Sequence, residues 1–534
     1  MFRSLRPRMK APVSLPRAAR VRQSGVKISS RRINLSFLHQ SYIDSSMTKE
    51  LPVSKNLSHL LSDEANSRNP SNLKQAFKYF NDPNVISLGG GLPLSEFFPF
   101  DNIRVDTLQP PFSNGINAAP TGDDKLEVAI HKDIKKAGDD IPLAVSLQYG
   151  TTEGNQKLLN FIREHTKKVH DVAFKDWDVL LSVGNTEAWD TVLRTFTNRG
   201  DAILAEEFAF PSAAEAAHGN GVNIVPAKMD LDGIIPEELD DQLNNWVGNK
   251  PKLLYTVPTG QNPTGSTLSA ERRQAVYKIA QKHDLIIVED EPYYFLQMPT
   301  YTKDEAKRAE LEKTPSYDDF LNGLVPSYLN FDVEGRVIRL DSFSKVMAPG
   351  ARVGWIVAQE RFIERMLRLH EVSIQVASGF GQSIVYGVLQ RWGQQGYLDW
   401  LIGLRKTYTH KRDIAVDAME KYLPKEVVEF IAPTAGMFFW IKVDARKHPK
   451  YKDQDVVKFE EDMYMRGIER GVQLVPGHWF VMNDKTNPPQ KERPQSDEDA
   501  HALYYRGTFA SVPHDRLTEA IRLFGAHLRE EFGV

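Results

Sequence analysis

Six short apolar runs constrain this chain most. They are WDVLLSVG (177–184), DAILAEEFAF (201–210), GVNIVPA (221–227), PKLLYTVP (251–258), DLIIVEDEPYY (284–294) and GRVIRLDSFS (335–344). Segments with helical spacing, such as SAERRQAVYKIAQKH (269–283), fall between several of them. A strand that is apolar along its whole length has no solvent face. Such strands, separated by helices, predict an α/β fold with a mainly parallel sheet covered on both sides. Sheets of this kind bind ligands beyond the carboxyl ends of their strands. Asn185, Phe210, Asn262, Asp290, Ser344 and Lys345 all follow such ends.

The chain has 534 residues, enough for two cores. No apolar run is long enough to cross a bilayer, and a net charge of −3 gives no support to a nucleic-acid surface. The chain has no cysteine, which excludes disulfides, thiolate metal sites and a cysteine nucleophile; no metal site is expected. The leader, residues 1–43, is basic and rich in Ser and Ala, and the first acid is Asp44. That composition predicts mitochondrial targeting, with a basic arm on a cytoplasmic protein as the alternative. Capped or periodic helices are expected over 69–80 and 154–169. The polar segment 301–327 reads as a helix-prone insertion and 483–500 as an exposed loop.

DSFSKVMAPGARVGW (341–355) puts a lone lysine, Lys345, at the end of a buried strand. A buried ammonium is costly unless it is paired or neutralised. One solution is chemical: the amine condenses with an aldehyde. With GQNPTG and EDEPYY in this order and spacing, the stretch resembles the core of a fold-type I pyridoxal-phosphate aminotransferase. The similarity is to the aromatic and 2-aminoadipate group, including the kynurenine aminotransferases and their fungal relatives. ISLGGGLPLSEFFPF, LQYGTTEGNQKLL, PTAGMFFWIKV and YYRGTFA extend it over roughly residue 58 to the end. Each motif alone is weak, since GQNPTG is also ordinary turn chemistry. The ordered set is specific.

The resemblance implies pyridoxal 5'-phosphate, held by Lys345 as an internal aldimine, with the same amine shuttling the proton at the substrate Cα. It implies Asp290 as partner of the pyridine nitrogen, although Glu289 and Glu291 would take that place in a different register. Asn262 and Tyr293 would hydrogen-bond the ring oxygen, and Phe210 would stack on the ring where the family often has tyrosine. Gly184, Asn185 and Thr186, which open a helix, would form the phosphate cradle with Ser342, Ser344 and Arg352. Tyr149 resembles a tyrosine that reaches the neighbouring subunit's phosphate, which implies a homodimer. Arg506 would clamp the substrate carboxylate. Gly90 and Gly91 would let backbone approach the substrate, with Phe97 and Phe98 nearby.

The expected fold is a large domain (116–395) with a sheet of the seven-stranded type, plus a smaller α+β domain (396–534) to which 44–115 contributes. The expected reaction carries an amino group from an aromatic amino acid, 2-aminoadipate or kynurenine to a 2-oxo acid such as 2-oxoglutarate. A lyase of the aminocyclopropane-carboxylate synthase type is the alternative on the same fold. A regulator with an upstream winged DNA-binding domain is not expected, because the stretch before residue 58 has no room for one.

Overall fold

All six apolar runs form strands of one sheet, and a seventh strand joins them. The computed structural model describes residues 50–71, 84–86, 88–89, 91–452, 455–483 and 497–534, with backbone only at 497 and 498. The basic leader, most of the helix expected over 69–80, and Gly90 lie outside the described residues. In chain order the large sheet contains β1 (Trp177–Ser182), β2 (Ala202–Glu206), β3 (Asn223–Ala227), β4 (Leu253–Thr256), β5 (Ile286–Asp290), β6 (Val337–Ser342) and β7 (Gly354–Gln359). Their spatial order is β1-β7-β6-β5-β4-β2-β3. Only β7, which follows the SFSK motif directly and was not read as a strand, runs antiparallel to its neighbours.

Successive residues point into opposite clusters. Ile286 and Val288 pack on one side of the sheet while Ile287 packs on the other. Leu253 and Tyr255 face one way, Leu254 the other. Both faces are therefore buried, which is why these strands lack the polar alternation of a half-exposed sheet. Helices Gln156–His170 and Ala270–His283 appear where periodicity predicted them, capped by the side chains of Asn155 and Ser269.

A second sheet contains β8 (Val428–Phe430), β9 (Phe438–Asp444), β10 (Val475–Pro476) and β11 (Ala502–Thr508), in the order β8-β9-β11-β10. Its core includes Val443, Leu503, Ile521 and Phe524. The helix Gly379–Tyr422 serves both sheets and is broken at Gly393 (φ 62°). Val385 to Ile402 pack in the large-sheet core, and Ala415 to Met419 in the small-sheet core.

Within the segment 44–115, expected to contribute to the smaller domain, residues 54–65 pack on the large sheet. Ser54 donates to Asp176 at 2.6 Å, and Leu57, Leu60 and Leu61 enter the large-sheet core. Their leucines complete the helix layer around Trp189 and Phe196, an apolar surface that would otherwise face water. The insertion 301–327 forms helices Glu305–Leu311 and Tyr317–Asn322, tied to the long helix by the Arg308 fork on Asp417 at 2.8 Å. Within 483–500, read as loop, the described residues Asp497–Ala500 form one helical turn leading into β11.

The two sheets meet at a glycine pair. Gly260 (φ +58°) and Gly436 (φ +80°) cross so closely that a Cβ on Gly260 would lie 2.4 Å from the Gly436 nitrogen. Backbone cannot yield as a side chain can, and both residues are left-handed. Gly260→Ala should lower stability by about 1–3 kcal/mol, the usual cost of overpacking, read as a lower urea midpoint.

Candidate active site

The carboxyl edge of the large sheet gathers most of the predicted residues. Asp290 ends β5, buried, on the same face as Ile286 and Val288. Its Oδ1 accepts from Asn185 Nδ2 and its Oδ2 from the Tyr255 hydroxyl, both at 2.6 Å. Burial pushes its carboxyl up to about 6, against those two bonds, which favour the charged form. It has no ion pair among the described residues.

Strand alternation separates the three acids. Glu289 and Glu291 point to the opposite face, into a buried charge cluster with Arg273 and Arg339. Arg339 is forked onto Asp341 at 2.7 and 2.9 Å, and Ser327 and Thr259 donate to Glu289 and Glu291. Both glutamates are committed there, which leaves Asp290 as the acid facing the site.

The helix Asn185–Phe196 starts at this edge, behind Gly184 (φ 112°). A Cβ on Gly184 would lie 2.5 Å from Arg352 Nη2, so the missing side chain is what lets the guanidinium lie against the turn. Arg352 donates to the carbonyls of Pro349 (3.0 Å) and Val183. Ser342 and Ser344 share a hydroxyl contact at 2.7 Å. Thr186 and Arg352 are exposed, and Lys345 is half-buried. No described residue pairs with the Lys345 amine. Phe210, the residue before helix Pro211–Gly219, is 39% exposed.

A second group forms where the small sheet approaches. Arg506, on β11, donates to Asn262 Oδ1 at 2.9 Å. Its guanidinium lies 4.5 Å from the Phe438 ring and 4.7 Å from that of Phe480, with no carboxylate partner among the described residues. Burial lowers its pKa, a sign of a cation held without full solvation. The buried Tyr293 packs edge-on to Phe438. Burial first, then the nearby Asp290 charge, raise its pKa, so its hydroxyl remains a donor.

Two predicted residues stand apart within this chain. Tyr149 is 60% exposed and lines a cavity of about 1130 Å³ with Leu92, Val145 and Gln382. Gly91 is open, with nothing within 4 Å of where its Cβ would be.

This arrangement fits pyridoxal phosphate in three ways. A buried carboxylate without a cation suits a protonated ring nitrogen. An unpaired lysine suits an aldehyde. Helix-start N–H groups, two serine hydroxyls and an arginine suit a phosphate. Asn185 Oδ1, buried and without a hydrogen bond, marks a polar position still open to a donor.

Fold and site together define a fold-type I pyridoxal-phosphate enzyme. The chain belongs to the family of class I and II aminotransferases, whose sequence pattern matches residues 112–485. It is an aminotransferase, and the cofactor of the family is pyridoxal 5'-phosphate. Its structure is similar to the crystal structure of aminotransferase Aro8 from Candida albicans, with a TM-score of 0.87, 53% identity, and coverage of 90% of this chain and 100% of that one. In sequence it is 42% identical to an aromatic amino acid aminotransferase of Schizosaccharomyces pombe, over 90% of this chain and 98% of the relative. It is 31% identical to an L-tyrosine:2-oxoglutarate aminotransferase of Serpula lacrymans, over 89% of this chain and 96% of the relative.

Sequence reading missed Tyr255, Phe438, Phe480 and Glu206. Tyr255 sits inside PKLLYTVP, where its hydroxyl was hidden by the apolar pattern. Phe438 lies in PTAGMFFWIKV, noted only for resemblance, and Phe480 lies outside every motif of the set. Glu206 ends β2 and accepts from Thr256 Oγ1 (2.7 Å), Val257 N–H and Gln261 Nε2 (both 3.0 Å). It thereby staples the loop that carries Asn262.

Burial pushes the Glu206 carboxyl from 4.5 up to about 7, despite those bonds. The folded protein binds this proton more tightly than the unfolded chain. The stability it contributes is complete below pH 4.5 and is lost as pH rises through about 7. Glu206→Gln mimics the protonated group. In the cofactor-free protein it should flatten the fall in stability across that window, by roughly 2–3 kcal/mol, measured as urea midpoints from pH 4.5 to 7.5.

Proposed function

We propose that this aminotransferase takes the amino group from aromatic amino acids and passes it to 2-oxoglutarate, as a homodimer with shared active sites. The observation that carries the substrate reading is Arg506. An unpaired, partly buried guanidinium between two phenylalanine rings suits a carboxylate attached to an apolar aromatic body. The names of the fungal relatives support the same class. The lyase alternative is not favoured by any of those relatives.

When bound, the cofactor supplies a sink for the electrons released at the substrate Cα. The chain does the rest. Asp290 would hold a proton on the ring nitrogen, and Asn262 and Tyr293 would donate to the ring oxygen. Gly184, Asn185, Thr186, Ser342, Ser344 and Arg352 would anchor the phosphate, and Phe210 would lie over the ring. Lys345 Nζ takes the proton from the substrate Cα. Arg506, aimed by Asn262, fixes the α-carboxylate so that the Cα–H bond faces that amine. This orientation is what converts binding into rate.

The dimer reading rests on exposed apolar surface. Ile86 and Leu88 are 95% and 96% exposed, and Leu94, Phe97, Val145 and Tyr149 add to it. Large apolar side chains left this exposed support an interaction surface. Tyr149 would then reach the partner's phosphate. Light scattering should give twice the mass of one chain at micromolar concentration. Ile86→Asp with Phe97→Asp should shift the mass to that of one chain and abolish activity; an unchanged mass would refute this interface.

Donor choice is read from single-turnover cofactor spectra with phenylalanine, tyrosine, tryptophan, kynurenine and 2-aminoadipate. Aromatic donors should react with the highest kcat/KM, and a preference for 2-aminoadipate would overturn the reading. Arg506→Ala should lower kcat/KM for donor and acceptor alike by about 2–5 kcal/mol. Arg506→Lys should recover only part, because a point charge cannot make the forked contact.

A further inference from the structure

The two donors on Asp290 belong to one packed unit. Asn185 opens the helix Asn185–Phe196, and Trp189 lies one turn further along it. The Trp189 ring packs at 4.6 Å on the ring of Tyr255, whose hydroxyl donates to Asp290 Oδ2 at 2.6 Å. Trp189 is itself fixed by its Nε1–H, which donates to the Ala213 carbonyl at 3.0 Å. Tyr255 is 2% exposed, and no other described side chain bonds its hydroxyl. The same helix therefore holds both carboxylate oxygens, one through Asn185 directly and the other through Trp189 and Tyr255.

We propose that Tyr255 is a positioning residue for amino transfer: its hydroxyl fixes the Asp290 carboxylate in one orientation and holds its negative charge. This rests on the reading of Asp290 as partner of the ring nitrogen. The physical need is specific. Asp290 is buried and has no cation of its own, and a desolvated carboxylate tends to take up a proton. Once protonated, it would have no charge with which to hold a proton on the ring nitrogen. A hydroxyl at 2.6 Å opposes that tendency. Neither face of the carboxylate can rotate away, because Asn185 holds the other oxygen.

Tyr255→Phe removes one oxygen and keeps the ring on Trp189. In the holoenzyme the half-reaction rate constant should fall about 10- to 100-fold, the range for losing a hydrogen bond to a charged group, with KM changed less than about threefold. Reconstitution with pyridoxal phosphate methylated at its ring nitrogen, a permanent cation, should restore the variant to within about threefold of wild type carrying the same analogue. In the cofactor-free protein, infrared difference titration should show the Asp290 carboxyl protonating at higher pH in the variant than in wild type. A rate within about twofold of wild type, a defect that persists with the methylated cofactor, or an unmoved carboxyl titration would each overturn the proposal. Asp290→Asn separates the two readings. If it reacts as wild type does, the assignment of Asp290 fails; if it is inactive while Tyr255→Phe is normal, only the role of Tyr255 fails.

Discussion

A carboxylate held at the end of a fully buried strand, by two neutral donors and no cation, is the constraint on which this site depends. Isolated buried charges are expensive, and proteins usually pair them. Here the sheet positions Asp290 on the same face as Ile286 and Val288, and the helix beyond β1 supplies Asn185 to meet it. The carboxyl is left poised near 6, so a cationic ligand group would gain more from it than from a solvated acid. The packing of β4, β5 and the Asn185 helix is thus continuous with the chemistry.

The opposite face solves the problem differently. Glu289, Glu291 and Asp341 are paired with Arg273 and Arg339 in a buried network, and Arg339 also lies 4.5 Å over the Tyr294 ring. Removing one partner of such a network costs roughly 3–5 kcal/mol, because the other charge stays buried. Three consecutive acids, Glu289 and Asp290 at the end of β5 and Glu291 just beyond it, thus serve two purposes. The outer two lock β5 to β6 and to the helix Ala270–His283. The middle one is left without a cation.

The pattern of apolar runs was legible because both sheet faces are buried, so the strands stand out from the helices. Lys345, Asp290 and Asn262 were legible as candidates because their neighbours form an ordered set of motifs. Strand β7 was not, since it follows the Lys345 motif without a break and its antiparallel direction depends on pairing with β1 and β6. Tyr255 was invisible for a similar reason. An apolar run says that a ring is buried and nothing about where its hydroxyl points. The packing of 51–68 on the large sheet depends on contacts with residues more than a hundred positions away, such as Asp176 and Thr195, and no local pattern encodes them.

The proposed cofactor site lies at the carboxyl edge of the large sheet, with Lys345 as its amine. Borohydride reduction of the pyridoxal-phosphate-loaded protein, followed by peptide mapping, measures this directly. A single phosphopyridoxyl label on Lys345, absent from the Lys345→Ala protein, is the predicted result. Label on another lysine, or full turnover by Lys345→Ala, would contradict it.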